Sequence, residues 1–214
     1  VARTTGSDAV ALTFDDGPGD QTLAILALLR QYGVKATFCL IGVHVRERPD
    51  LVRAIVRDGH TLCNHTWQHD LGLGHRSPEV IRSDLQRTSD EIHKAVPGVP
   101  IRYFRQPGGM WTPSVVSIAQ EMGMTSLGWD VDPSDWNVAG YPPGPVMTNH
   151  IIGNIEYHVH PGAIVLSHDA GGDRSSTVAA YRVLLPYLLG QRHLHLVPLP
   201  GGARPPQGGP EAAA

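Results

Sequence analysis

The chain has 214 residues, 41% of them hydrophobic, a formal charge of −3 and a pI near 6.5. That length suits one domain with a substantial core, and the near-balanced charge offers no field for nucleic acid or an anionic membrane surface. Apolar residues fall in short runs, none near the roughly 20 consecutive positions a membrane helix needs, and no charged and apolar leader precedes Val1, so a secretion signal is expected to be absent or already removed.

The first strand is expected over Ala9 to Phe14, leading into Thr13-Phe14-Asp15-Asp16-Gly17-Pro18. Two adjacent carboxylates at a strand end, followed by a Gly-Pro turn, stand at the sheet rim, where α/β folds keep their chemistry. Alternation along an extended chain would turn Asp15 and Asp16 in different directions. Gln21 to Tyr32 carries Leu23, Leu26 and Leu29 at helical spacing, and Gly33 suits its end. Strands over Ala36 to Ile41 and His60 to Asn64 flank a helix at Leu51 to Arg57. If the two strands are parallel neighbours, Cys39 and Cys63 come within bonding range, a disulfide suited to an oxidising compartment.

Asn64-His65-Thr66-Trp67-Gln68-His69 follows, with two imidazoles four residues apart, the spacing that puts both on one side of a helical turn. With one carboxylate they make a three-ligand metal site whose fourth position stays open for water, as in hydrolytic zinc sites. Two cysteines are too few for a structural zinc site of the four-cysteine kind. A helix opens at Ser77-Pro78, with Ile81, Leu85, Ile92 and Val96 on one face. Further strands are expected at Tyr103 to Arg105, Thr125 to Trp129, Ala163 to Ser167 and Leu194 to Pro198, with helices at Pro113 to Met122, Val146 to Tyr157 and Thr177 to Leu189. Seven strands alternating with helices indicate α/β architecture: a single domain over 1–199 built on a parallel sheet, curled into an incomplete barrel. Residues 200–214, rich in proline and glycine, read as a tail or linker.

Three more segments have compositions that core packing does not explain: Tyr103-Phe104-Arg105-Gln106-Pro107-Gly108-Gly109, Trp129-Asp130-Val131-Asp132-Pro133-Ser134-Asp135-Trp136 and Ile164-Val165-Leu166-Ser167-His168-Asp169. With the Asp-Asp pair and the two histidines, these resemble, in chain order, the five motifs of the polysaccharide deacetylases of carbohydrate esterase family 4. The resemblance spans about Ala9 to Pro198. It implies a distorted, incomplete (β/α) barrel of seven or eight parallel strands that removes acetyl groups from acetylated sugars with a divalent metal. Zinc fits the ligand set best, with cobalt, nickel or manganese as alternatives.

Carried over residue by residue, the resemblance makes Asp16, His65 and His69 the metal ligands and Asp15 the general base. Arg105 would orient that base and keep it ionised. His168 would be the general acid, tuned by Asp135, and the Gly108 N–H would stabilise the oxyanion. Many members carry tyrosine at that position, so this chain keeps the donor but lacks an aromatic wall, a space Trp111 is expected to refill in part. Leu166 and Trp136 would pocket the acetyl methyl. The implied partner is an acetylated polymer or oligomer, built on N-acetylglucosamine as in chitooligosaccharides or peptidoglycan, or an O-acetylated xylan. The protein is expected to act as a secreted or extracytoplasmic monomer. Two other readings of these residues are a non-haem iron oxygenase, against which the second carboxylate beside the ligand argues, and a catalytically silent carbohydrate-binding protein on the same fold.

Overall fold

Strands apolar on both faces must be covered on both, and the computed structural model, which describes residues 1–201, covers them by curling one parallel sheet inside a layer of helices. The tail expected over 200–214 lies, from residue 202 onward, outside the described residues. Strands β1 (Ala11–Gly17), β2 (Thr37–Leu40), β3 (Thr61–Asn64), β4 (Tyr103–Phe104), β5 (Thr125–Ser126) and β6 (Ile164–His168) form a six-stranded sheet in the order β5-β4-β3-β2-β1-β6. Every pairing is parallel. Beyond β5 the chain reaches across to the opposite edge, where Val131 bridges Val165 of β6. The fold is therefore a distorted, incomplete (β/α) barrel.

Period-2 alternation sorts the side chains. One face of β1, β2, β3 and β6, including Leu12, Phe14, Phe38, Leu40, Leu62 and Val165, joins the main core with α1 (Thr22–Gln31), α3 (Pro49–Arg57), α6 (Pro145–His158) and α7 (Ser175–Pro186). The other face forms a smaller inner cluster of Ala11, Cys39, Cys63, Leu127, Ile164 and Leu199. A third cluster joins α4 (Pro78–Ala95) to α5 (Pro113–Glu121) through Ile81, Leu85, Val115 and Ile118. Ser77 and Thr112 cap these two helices by accepting the N–H groups of Val80 and Val115.

The seventh strand expected at Leu194 to Pro198 is not one. Both edges of β1 are already occupied by β2 and β6, so this segment makes a single bridge, Val10↔Leu196. Its continuation seats Leu199 in the inner cluster, where Thr61 Oγ1 donates to the Leu199 carbonyl at 2.6 Å. The first strand runs on through Asp15 and Asp16 to Gly17, beyond its expected end, and β5 stops at Ser126 rather than Trp129. A short helix, α2 (Gly42–Glu47), was not expected; it is too brief to show a hydrophobic period.

Cys39 and Cys63 are register partners on β2 and β3, with Cα atoms 4.2 Å apart, and are joined in a disulfide. No helix among the described residues is long and apolar enough to cross a membrane. Thiol titration of the denatured, unreduced protein is expected to find no free sulfhydryl. Closing a loop of 24 residues is worth about 3 kcal/mol, so reduction should lower the chemical-denaturation midpoint clearly; two titratable thiols would contradict the pairing.

Candidate active site

In an unbroken strand Asp15 and Asp16 would face opposite sides of the sheet. The register instead steps from Asp15↔Cys39 to Gly17↔Leu40, which leaves Asp16 as the extra residue of a β-bulge with φ at +74°. Both carboxylates consequently line one cleft, and the alternation expected from the sequence does not hold here. Left-handed backbone costs a non-glycine residue about 1 kcal/mol, and the surroundings hold it in place. His44 Nδ1–H donates to the Asp16 carbonyl at 2.7 Å. Gly171 packs so tightly on the Asp16 carboxylate that a Cβ there would collide with it. A Cβ on Gly17 would likewise lie 2.7 Å from the buried carboxylate of Asp169. That carboxyl, raised to about 7 by burial, accepts the Thr22 hydroxyl at 2.6 Å.

His65 leaves the end of β3, and His69 follows in a loop, not in the helical turn their spacing suggested. Thr66 and His69 have φ of +68° and +63°. The loop is pinned on both sides: Asn64 Oδ1 accepts the Thr66 N–H at 3.0 Å and Asp84 Oδ1 the Trp67 N–H at 2.9 Å. The two imidazole centroids are 5.2 Å apart, and each Nε2 is 3.3 Å from Asp16 Oδ1.

His65 Nδ1–H donates to the Arg105 carbonyl at 2.7 Å, so in the neutral ring Nε2 carries a lone pair. It points at Asp16 Oδ1, a buried oxygen without a hydrogen-bond partner. Ligand atoms of Asp16, His65 and His69 all lie within 4.8 Å of one another. Lone pairs converging in this way repel unless a proton or a metal cation lies among them, and the donor set of two nitrogens and one oxygen fits a divalent metal. Burial opposes the charge on Asp16, but the imidazoles of His65, His168 and His69 hold its carboxyl well below the usual range. Burial also resists a charged His65, yet Asp15 and Asp16 draw its pKa upward, while burial and the His65 charge draw His69 downward.

Asp15 is held by Arg105, the largest fully buried side chain among the described residues. Arg105 Nη1 donates to Asp15 Oδ1 at 2.7 Å and to Thr13 Oγ1 at 2.8 Å. Its Nε and Nη2 donate to the carbonyls of Leu127 and Gly128 at 3.0 and 2.9 Å, and its guanidinium lies 5.4 Å from the centre of the Trp129 ring. A guanidinium fixed on four sides cannot follow a moving partner, so it fixes Asp15. Asp15 Oδ2 is 3.7 Å from His65 Nε2, beside the ligand set.

His168 ends β6. Its Nδ1 lies 2.7 Å from Asp135 Oδ1, and its backbone N–H donates to Asp135 Oδ2 at 2.8 Å. Thr177 Oγ1 donates to the same carboxylate at 2.8 Å, and Arg174 to the Asp135 carbonyl at 3.0 Å. Burial alone would lower the His168 pKa, but Asp135, with Asp16 and Asp15 beyond, pushes it up to about 9. Burial raises Asp135, and the His168 charge with three hydrogen bonds overrides this and lowers it.

The cleft has a volume of about 390 Å³ and is lined by Asp15, Asp16, His65, His69, Gly108 and His168, with Trp129, Asp132, Trp136 and Leu166 among its walls. Trp111 stands elsewhere: its ring meets Phe104 edge-on at 5.9 Å, in the cluster under α4 and α5, so it does not refill the wall at Gly108. Leu71 lines the cleft without having been singled out in the sequence. Asp132 does double work there, accepting the Ser134 N–H at 2.7 Å and the Trp136 Nε1–H at 3.3 Å. Thr13 was not singled out from the sequence, although it shares the inward face with Asp15 two positions on; Thr177, on a helix far along the chain, left no local signal.

A family model described as polysaccharide deacetylase matches residues 2–127, more than half of the chain. The chain belongs to the polysaccharide deacetylase family. It is 35% identical over 208 residues to the chitooligosaccharide deacetylase of Bradyrhizobium sp., covering 92% of this chain and 91% of that one. A peptidoglycan-N-acetylglucosamine deacetylase of Bacillus cereus is 38% identical over 182 residues, covering 84% and 81% of the two chains. Among solved structures, the Bc1960 peptidoglycan N-acetylglucosamine deacetylase superposes with a TM-score of 0.82 at 30% identity, over 92% of this chain and 89% of that one. With its deacetylase relatives, the protein is a hydrolase of acetylated carbohydrates.

Replacing His65 with Ala removes one candidate ligand and the hydrogen bond that orients it. Elemental analysis after gel filtration of zinc-loaded protein is expected to show at least a ten-fold loss of bound metal relative to wild type. Because a proton on His65 competes with metal, affinity in wild type should also weaken as pH falls below neutrality. Full metal content in His65→Ala would contradict the ligand assignment.

Proposed function

We propose that this family member is a metal-dependent deacetylase acting on polymers or oligomers of N-acetylglucosamine, with acetate as second product. The observation that carries this reading is the convergence of the Asp16, His65 and His69 ligand atoms beside a second carboxylate locked by a buried arginine. A divalent metal there, with zinc the best match to the donors, would supply a Lewis acid for the attacking water and the acyl oxygen. Asp15 takes the proton of that water as its oxygen adds to the acetyl carbon. The Gly108 N–H donates to the oxygen that gains charge. With Nδ1 engaged by Asp135, His168 offers Nε2–H to the sugar nitrogen, and the carbon–nitrogen bond breaks with that proton on the departing amine. Leu166, 2% exposed, then bounds the acetyl methyl from below, with the inner edge of Trp136 above it.

A catalytically silent sugar-binding protein is less well supported, since no ligand or proton-transfer position has been lost. The names of the relatives favour chitooligosaccharide or peptidoglycan substrates over acetylated xylan. Action outside the cytoplasm accords with that substrate class and with the disulfide.

Acetate release from chitooligosaccharide, peptidoglycan and acetylxylan, each with zinc and with chelator, tests the reading. Activity on the first or second, abolished by chelator, is expected; sugar binding without acetate from any of the three would sink it. Asp15→Asn should lower kcat at least about 1,000-fold while metal content stays at the wild-type level, and an active Asp15→Asn enzyme would exclude it as base. The acid must be protonated to work, and Asp135 draws the His168 pKa upward, so the activity should persist through neutrality and fall only on the alkaline side. Asp135→Asn removes the charge that raises His168 and should move this alkaline limb to lower pH; an unmoved limb would assign it to another group.

A further inference from the structure

At the mouth of the cleft stands a side chain that none of the five motifs contains. Leu71 is 53% exposed, yet it lines the cavity together with His69 and Gly108. Its loop is built to hold it there. Gln106 Nε2, from the segment after β4, donates to the carbonyls of Asp70 and Leu71 at 3.0 and 3.3 Å. Asp70 Oδ1 accepts the Gly72 N–H at 2.8 Å, and Leu73 anchors the far side of the loop in the cluster under α4 and α5.

The reason for this placement lies at Gly108. Its φ is +63°, and a Cβ built on it would lie 2.9 Å from Leu71 Cδ2. Leu71 therefore occupies the space that a side chain at position 108 would take. Exposure orders the apolar walls by depth: Leu166 is 2% exposed, whereas Leu71 and Trp136 are 53% and 49% exposed. Trp136 is steered by its Nε1–H, which points at the Asp132 carboxylate at 3.3 Å. A half-exposed indole and a half-exposed leucine over a polar reaction centre offer apolar surface to the C–H faces of a pyranose ring. The buried Leu166 below has room only for a smaller group.

We propose that Leu71 is a specificity-determining residue: with Trp136 it holds the pyranose ring at the mouth of the cleft while the ring's acetyl group reaches down to Leu166. This deepens, and rests on, the deacetylase reading. Leu71 belongs to no part of the proton transfer, so its contribution falls on how well a sugar is held compared with an acetyl compound that has no ring.

The test uses zinc-loaded wild type, Leu71→Ala, Leu71→Met, Gly108→Ala and the double variant, each checked for an unaltered thermal midpoint. Substrates are an N-acetylglucosamine tetramer and trifluoroethyl acetate, which has no ring to grip. For Leu71→Ala the tetramer KM is expected to rise about five-fold with kcat changed less than about two-fold. Selectivity, the ratio of kcat/KM for the tetramer to that for trifluoroethyl acetate, should fall by a similar factor, and Leu71→Met should restore most of it. Gly108→Ala should lose activity through its clash with Leu71, and removing Leu71 in the double variant should recover at least about three-fold of that loss. An unchanged tetramer KM, an equal loss on both substrates or additive effects at 71 and 108 would overturn the proposal. Failure of the wild type to deacetylate any acetylated sugar would instead take down the deacetylase reading, and the role of Leu71 with it.

Discussion

If β1 continued as a regular strand through Asp16, that carboxylate would turn to the side of Phe14, which packs at 5.3 Å on Phe38 and at 5.2 Å on Tyr181 of α7. An unpaired carboxylate would then be buried among aromatic rings, at a cost of several kcal/mol, and the two histidines would lose their oxygen partner. The bulge avoids both outcomes by adding one residue to the register. Its left-handed residue is an aspartate, a residue type that tolerates that conformation better than most. Gly17 and Gly171 are required on either side because no other residue leaves room for the carboxylates of Asp169 and Asp16.

Regular alternation does the rest. Thr13 and Asp15 share the inward face of β1, and Arg105 reaches both from the end of β4. A buried guanidinium is tolerable only when its donors are largely satisfied, and here two carbonyls from the segment after β5 bring the engaged N–H groups to four of five. The same residue accepts the Nδ1–H of His65 through its backbone, so the proposed base and one proposed ligand are oriented by one fixed group. The incomplete barrel matters for this arrangement: because the chain beyond β5 crosses to β6, Asp135 comes to lie against His168, opposite in the sheet order from β4. The proposed acid and base are therefore set by different strands, each with its own buried counter-charge.

Much of this was legible in the amino-acid sequence. Short apolar runs alternating with helical periods indicate a parallel sheet, and the motif residues Asp15, Asp16, His65, His69, Gly108, Trp136, Leu166 and His168 do meet in one cleft, with Arg105 and Asp135 supporting it from behind. What was not legible depends on context beyond a local window. The bulge is invisible in Thr-Phe-Asp-Asp-Gly because it exists only relative to the register of β2. Leu194 to Pro198 has strand composition but no free edge to pair with, which only topology reveals. The His-x-x-x-His spacing suggested a helix, whereas two left-handed residues and two side-chain pins bring the rings together in a loop. Leu71 and Trp111 exchanged places for a related reason: which apolar side chain covers a glycine is decided by loop path, not by nearness in sequence.

The bulge at Asp16 is tested most directly by zinc-binding calorimetry on Gly171→Ala, which leaves every ligand, the base and the acid in place. A methyl at position 171 would collide with the Asp16 carboxylate, so zinc affinity should fall at least about ten-fold in a protein that keeps its circular dichroism. Wild-type zinc affinity in a folded Gly171→Ala protein would contradict the claim that the packed left-handed backbone at Asp16 is what builds the metal site.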